Sequence, residues 1–125
     1  MTRKFVKVLV IEDEPGLAQV LRLILRSEGY DSLSASTGDE GLSLALNDLE
    51  VDLVLTDVRL PGMSGIEILK RLKVERPFLT VIVMSAYSSI ELAVEAMQHG
   101  ANHFISKPFK KDLIVEILRQ AEERL

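Results

Sequence analysis

Five short apolar runs, rich in β-branched residues, alternate along this chain with five amphipathic stretches. In chain order, the predicted strands are Phe5–Ile11, Tyr30–Ala35, Leu53–Thr56, Thr80–Met84 and His103–Ser106. The predicted helices that follow them are Pro15–Glu28, Gly38–Leu49, Ser64–Val74, Ser88–His99 and Lys110–Arg124. Strands that alternate with helices are typical of right-handed crossovers and a parallel sheet covered on both faces. We therefore expect an α/β fold, a three-layer sandwich of five β/α units.

Residues that start and stop helices agree with these boundaries. Pro15 suits a first helical turn, where its missing N–H is not needed. Gly29 and Gly100 follow predicted helices, at the position where a left-handed residue commonly ends a helix. Ser64 and Ser88 are expected to cap helix N-termini.

Three of the predicted helices carry an apolar face at helical spacing. The residues on these faces are Leu17, Val20, Leu21, Ile24 and Leu25 in the first helix, Ile90, Ala93, Val94 and Met97 in the fourth, and Leu113, Ile114, Ile117, Leu118 and Ala121 in the last. This pattern supports helices that lie against a sheet.

Composition narrows the class of protein. A length of 125 residues predicts one domain, spanning residues 1–125. The net charge of −4 gives no footprint for direct binding to nucleic acid, and the lack of cysteine excludes disulfides and thiol redox chemistry. Lys7, Glu12 and Asp13 interrupt the first apolar run, and no stretch is long enough to cross a bilayer. We expect a cytoplasmic protein that contacts neither nucleic acid nor a membrane directly.

Chemically active side chains follow four of the five predicted strands. Glu12 and Asp13 come after the first, Asp57 after the third, Ser85 after the fourth and Lys107 after the fifth. If these strands are parallel, all of these groups emerge at one edge of the sheet. That edge is where open α/β folds bind their ligands.

Such a pocket favours a hard cation and phosphoryl transfer. Three carboxylates held together repel one another unless a cation intervenes, and Mg²⁺ prefers oxygen ligands. Lys107 would add positive charge, and Ser85 could donate a hydrogen bond to a phosphoryl oxygen. Asp57 could then attack a phosphorus centre and form an aspartyl phosphate.

The chain resembles the receiver domain of bacterial two-component response regulators over essentially its whole length. The resemblance rests on four motifs in order, at residues 11–15 (IEDEP), 56–65 (TDVRLPGMSG), 84–87 (MSAY) and 106–109 (SKPF). Four ordered motifs are a strong signal, whereas each alone would be weak. The resemblance implies a flavodoxin-like (βα)5 fold with strand order 2-1-3-4-5.

The resemblance also implies the roles of individual residues in the acidic pocket. Asp57 looks like the phospho-acceptor. Mg²⁺ would be held by the side chains of Asp13 and Asp57, by Glu12 through a water molecule, and by the backbone carbonyl of Arg59.

Other residues match positions that respond to the phosphoryl group in this family. Lys107 matches the invariant lysine, and its bond to Pro108 is expected to be cis. Ser85 matches the hydroxyl residue that turns toward the phosphoryl group, and Phe104 matches the aromatic residue that rotates inward behind it.

The resemblance implies that the chain is a phosphorylation-activated switch. Such a domain assists its own phosphorylation and autodephosphorylation but is not a dedicated enzyme. The phosphoryl donor would be a sensor histidine kinase or a phosphotransfer protein. The fourth helix, fifth strand and fifth helix would form the surface that controls an output domain or effector, or a phosphorylation-dependent homodimer. Segments 58–65 and 86–97 look most like receivers that precede NtrC-like enhancer-binding ATPase activators, which suggests transcription regulation.

Three other functions fit parts of the pattern. A phosphatase of the haloacid dehalogenase type needs a second Asp two residues after the first, where this chain has Arg59. A flavin binder needs a Ser/Thr/Gly-rich phosphate loop after the first strand, where this chain has Glu12, Asp13 and Glu14. A receiver-fold protein-interaction module that is never phosphorylated stays open.

Overall fold

The computed structural model describes residues 6–87 and 89–125, which contain five strands and five helices. The strands are β1 (Lys7–Ile11), β2 (Asp31–Ala35), β3 (Leu53–Asp57), β4 (Thr80–Ser85) and β5 (His103–Ser106). The helices are α1 (Pro15–Ser27), α2 (Gly38–Asn47), α3 (Gly65–Glu75), α4 (Ile90–Gln98) and α5 (Lys111–Glu123). Each predicted element is therefore present, with its ends shifted by a few residues. Phe5, the predicted start of the first strand, lies outside the described residues.

The strands form a single parallel sheet in the order β2-β1-β3-β4-β5, which confirms the expected three-layer α/β fold. The register brings the carboxyl ends of the strands level with one another. Ile11 pairs with Thr56, Asp57 with Met84, and Ser85 with Ser106. Residues that follow β1, β3, β4 and β5 consequently meet at one edge.

The core consists of two layers, one on each face of the sheet. One layer joins the sheet to α2, α3 and α4 through residues such as Leu42, Leu69 and Ala96. The other joins it to α1 and α5 through residues such as Leu25 and Leu118. β3 and β4 are buried along their whole length, as expected for central strands of a parallel sheet covered on both faces.

The residues that cap and stop the helices are those that the sequence predicts, with one difference at α4. The Ser64 hydroxyl accepts a hydrogen bond from the Glu67 N–H at 3.2 Å, and Gly29 and Gly100 adopt φ of 86° and 97°. Ser88 lies outside the described residues. Ser89 caps α4, because its hydroxyl accepts from the Leu92 N–H at 3.1 Å.

The apolar faces are only partly buried, and α4 departs most from the usual amphipathic helix. Ile90 is 84% exposed, and Val94 and Met97 are about half exposed, whereas Ala96 is fully buried. α4 therefore packs on the sheet through small and half-buried residues and turns its large side chains toward solvent. Val20 on α1 is exposed in the same way.

The start of α3 lies against the backbone at the end of β3. The Gly65 N–H donates to the Val58 carbonyl at 2.8 Å, and the Val58 N–H donates to the Met84 carbonyl at 3.0 Å. A Cβ at Gly65 would collide with the carbonyl oxygen of Asp57. The glycine thus lets α3 begin directly beneath the end of β3.

Among residues 6–87 and 89–125, every helix is too short or too polar to cross a membrane.

Candidate functional site

Three carboxylates meet at the carboxyl edge of the sheet. Asp57 is the last residue of β3, whereas Glu12 and Asp13 follow β1. One oxygen from each side chain lies within 4.8 Å of the other two. Asp57 and Glu12 are buried, and Asp13 is exposed. The arrangement could hold a metal ion, with Asp13 on the solvent side.

Lys107 lies between the two buried carboxylates. Its ammonium nitrogen donates to Oε1 of Glu12 at 2.5 Å and to Oδ2 of Asp57 at 2.7 Å. Burial lowers the pKa of Lys107, but the hydrogen bonds to Asp57 and Glu12 outweigh burial, and the net shift is upward. Lys107 therefore stays protonated and supplies a fixed positive charge beside Asp57.

Glu12 is held by its surroundings on both sides. Its Oε2 accepts the Glu14 N–H at 3.1 Å, and its own N–H donates to the Ala35 carbonyl at 3.0 Å. Burial raises the pKa of Glu12, while the hydrogen bond from Lys107 acts in the opposite direction. The net shift is upward, chiefly because the Glu12 side chain is buried, so its negative charge is costly to keep in this part of the pocket.

Ser85 ends β4 one strand away from Asp57 and is fully buried. Its hydroxyl oxygen accepts the Tyr87 N–H at 3.0 Å, and its carbonyl accepts the Lys107 N–H at 2.8 Å. The backbone of Ser85 is thereby fixed from the β5 side. Its hydroxyl is bonded to the loop that leads into α4.

A cation–π contact bridges the two loops beside the pocket. The guanidinium carbon of Arg59 lies 3.8 Å from the ring centroid of Tyr87, which is 62% exposed. Arg59 follows Asp57 by two residues, and Tyr87 follows Ser85 by two residues. Each residue lies two positions after a residue of the site, but their stacking depends on the pairing of β3 with β4.

The remaining site residues lie in and after β5. The Lys107–Pro108 peptide bond is cis, the geometry that the family resemblance implies. Phe104 pairs with Val83 in β4, is partly buried, and packs against the core layer formed with α2, α3 and α4. The fold thus places an aromatic ring in the layer that contains α4, two positions along β5 from Ser106.

Three features of the site have no clear signal in the sequence. The first is the close approach of Gly65 to the Asp57 carbonyl, and the second is a similar approach of Gly38 in α2 to the Met63 carbonyl. The third is a groove of about 820 Å³ between α1 and β2, whose lining includes Glu12 and Asp13. Neither a glycine contact nor a groove is visible before the packing of the helices is known.

Known proteins share this fold. The family model for the response regulator receiver domain matches residues 8–119. A solved receiver domain from Methanospirillum hungatei has a TM-score of 0.89 at 31% identity, covering 97% of each chain. The Francisella response regulator 1452 receiver domain has a TM-score of 0.90 at 29% identity, covering 95% of this chain and 98% of its own.

Curated relatives include long and short proteins. Transcriptional regulatory protein GlrR of Escherichia coli is 38% identical over 99% of this chain, which spans 28% of GlrR. Sporulation initiation phosphotransferase F of Bacillus subtilis is 36% identical, and the match covers 91% of each protein. The chain belongs to the response regulator receiver domain family.

Proposed function

We propose that this receiver domain accepts a phosphoryl group on Asp57 and acts as a phosphorylation-activated switch. The observation that carries the proposal is the position of Asp57, nearly buried at the edge of the sheet, 2.7 Å from the Lys107 ammonium and grouped with Glu12 and Asp13. A carboxylate so placed is a poor surface residue and a poor core residue. It is well placed to act as a nucleophile beside a cation site.

Mg²⁺ is the metal that fits this pocket, because the donors are all oxygen and one side is open to solvent. Asp13 and Asp57 would bind it through their side chains, Glu12 through water, and Arg59 through its backbone carbonyl. When bound, the ion would neutralise part of the crowded negative charge and attract the oxygens of a phosphoryl group. The close grouping of Glu12, Asp13 and Asp57 supports the need for such a charge.

The proposed reaction moves one phosphoryl group. A carboxylate oxygen of Asp57 attacks the phosphorus of a phosphohistidine on a sensor kinase or phosphotransfer protein. The new phosphorus–oxygen bond forms as the phosphorus–nitrogen bond breaks, and the electron pair of that bond stays on the imidazole. Lys107 supplies positive charge where the phosphoryl oxygens bring negative charge, and the Ser85 hydroxyl can donate to one of them.

The reverse step returns the switch to its resting state. Water attacks the phosphorus of the aspartyl phosphate, releasing inorganic phosphate and the free Asp57 carboxylate. The same pocket serves both steps, so the domain assists its own phosphorylation and autodephosphorylation without turning over an external substrate. We infer a signalling domain rather than a dedicated enzyme.

The output of the switch would be the surface formed by α4, β5 and α5. Ser85 lies at the base of the loop that enters α4, and Phe104 packs in the core layer that contains α4. When the Ser85 hydroxyl turns toward a phosphoryl group, its bond to the Tyr87 N–H must break and the loop is released. α4 already exposes large apolar side chains, which suit a partner.

The partner of this surface would be an output domain, another effector, or a second phosphorylated copy. Similarity to transcriptional regulatory proteins such as GlrR supports a role in transcription regulation. The resemblance of segments 58–65 and 86–97 to NtrC-like activators points in the same direction. We propose that the protein acts in the cytoplasm. We propose that the receiver itself contacts neither DNA nor membrane, consistent with its net charge of −4.

Hydrogen exchange with a phosphoryl mimic tests the switch. The protein is incubated with Mg²⁺ and beryllofluoride, and amide exchange over residues 89–111 is compared with that of Asp57→Asn under the same conditions. We expect changed protection in the parent and none in the variant. Binding of beryllofluoride without any change over these residues would disprove the switch, and a parent that binds none of it would favour the interaction module that is never phosphorylated.

A further inference from the structure

The edge of the sheet opposite the acidic pocket carries an exposed apolar surface. Phe78, in the turn between α3 and β4, is 96% exposed. Around this edge, Val74 at the end of α3 is 79% exposed, Leu49 after α2 is 73% exposed, and Leu125 after α5 is 53% exposed. We call these four residues the Phe78 surface. Exposed apolar side chains grouped in this way commonly mark a protein-binding site.

A cavity open to solvent lies beside Phe78. It has a volume of about 420 Å³, and the apolar residues that line it include Val51, Phe78, Leu79 and Leu125. A volume of about 150 Å³ is enough to hold a benzene ring. A protruding aromatic ring therefore stands next to an opening that could accept one.

The loops around this cavity are fixed before any partner binds. The Arg76 guanidinium donates to the carbonyls of Ala45, Leu49 and Val51 at 2.8, 3.4 and 2.9 Å. The Leu79 N–H donates to the Arg76 carbonyl at 2.9 Å. Arg76 thus ties the loop that carries Leu49 to the turn that carries Phe78. A preformed surface binds a partner with less loss of conformational freedom.

We propose that the Phe78 surface binds a second copy of this chain in a two-fold arrangement. A surface with a protruding ring beside a cavity is self-complementary, since each Phe78 ring can fill the partner's cavity. The rim also carries opposite charges, Asp52 and Arg124. The Arg124 side chain makes no ion pair with residues 6–87 or 89–125, so it is available to a carboxylate across the interface.

The dimer forms weakly and without phosphorylation. Only four exposed apolar side chains contribute to the contact, and small interfaces associate reversibly. The surface lies at the amino ends of the strands, whereas Asp57 lies at their carboxyl ends. This association is therefore separate from any dimer that the α4-β5-α5 surface forms after phosphorylation.

Sedimentation equilibrium of the unphosphorylated protein without Mg²⁺ tests the proposal. We expect the parent to show a concentration-dependent monomer–dimer equilibrium and Phe78→Ser to weaken it about tenfold or more. The matched control is Val20→Ser, which removes a half-exposed apolar residue from α1, outside both surfaces, and should leave association unchanged. A parent that stays monomeric, a Phe78→Ser protein that associates normally, or a Val20→Ser protein that does not associate would overturn the proposal.

Charge reversal tests the arrangement independently. Arg124→Glu and Asp52→Lys should each weaken association, and the protein with both changes should recover it, because unlike charges then face each other again. Thermal unfolding of each variant identifies any loss of fold; in the Asp52 variant this matters because the Asp52 carboxylate accepts the Lys7 N–H at 3.0 Å. Failure of a folded double variant to recover association would refute the two-fold pairing.

Discussion

The ammonium nitrogen of Lys107 lies 2.7 Å from Oδ2 of Asp57, although fifty positions separate the two residues in the chain. Because Lys107 also binds Glu12, its single positive charge partly compensates two carboxylates that are both largely buried. Removing one partner of a buried ion pair leaves an uncompensated charge. We expect Lys107→Met to lower the free energy of unfolding by about 3 kcal/mol in the absence of Mg²⁺. Urea unfolding measures this change.

The control for Lys107→Met is Lys70→Met. Lys70 lies 3.8 Å from Glu67 on the exposed face of α3, and such pairs contribute about 0–1 kcal/mol. Adding Mg²⁺ should narrow the gap between Lys107→Met and the parent, because a bound cation replaces the missing charge. Equal losses in the two variants, or a gap that Mg²⁺ leaves unchanged, would argue against this role for Lys107.

Asp13 is expected to contribute to metal binding without supporting the fold. Its side chain is exposed, and one of its oxygens belongs to the group of three within 4.8 Å. Mg²⁺ binding should raise the melting temperature. Asp13→Asn should need about tenfold more Mg²⁺ than the parent for the same rise, since the change removes a charged ligand. Glu14→Gln, next in sequence, is the matched control and should respond to Mg²⁺ as the parent does. If the two variants behave alike, Asp13 is not a ligand.

Gly65 is expected to be required for the position of Asp57. A Cβ at this position would collide with the Asp57 carbonyl oxygen and crowd the Val58 Cα, both of which are backbone atoms. Gly65→Ala should therefore destabilise the protein by about 1–3 kcal/mol, as overpacking usually does. A Cβ at Gly16 in α1 would meet no atom within 4 Å, so Gly16→Ala should stabilise the protein by about 0.5–1 kcal/mol. Chemical denaturation that gave the same sign for both changes would contradict this account.

His103 gives the protein a predictable pH dependence. Burial, assisted by the charge of Arg124, lowers the pKa of His103 below its ordinary value of 6.5. Between the lowered pKa and 6.5 the unfolded chain binds more protons than the folded chain, so stability falls as the pH falls through this window. The stability of the parent relative to His103→Gln should decrease from about pH 7 to about pH 5. Urea titrations at several pH values measure the difference; a constant or increasing difference would contradict it.

The order of the helices and strands could be predicted from the sequence, and so could the edge of the sheet that carries the site, because both depend on local patterns. Apolar runs and cap residues located all ten elements to within a few residues. Once the strands were taken to be parallel, the charged residues that follow them were expected to converge. These residues are Glu12, Asp13, Asp57 and Lys107. The Ser64 cap and the positions of Gly29 and Gly100 were also correct.

The features that the sequence could not provide depend on contacts between distant segments. The apolar residues of α4 follow helical spacing, yet Ile90, Val94 and Met97 face solvent, whereas Ala96 is fully buried. Periodicity shows that a helix has an apolar face but not which surface that face meets. The Arg59–Tyr87 contact likewise depends on the pairing of β3 with β4.

The central claim is that Asp57 accepts a phosphoryl group, and intact-mass spectrometry tests it most directly. The protein is incubated with Mg²⁺ and acetyl phosphate beside Asp57→Asn, and each mass is compared with that of an untreated sample. We predict that the parent gains the mass of one phosphoryl group, which alkaline treatment removes, and that the variant gains none. A folded parent that gains no mass and binds no beryllofluoride, or a variant that gains mass equally, would contradict the account.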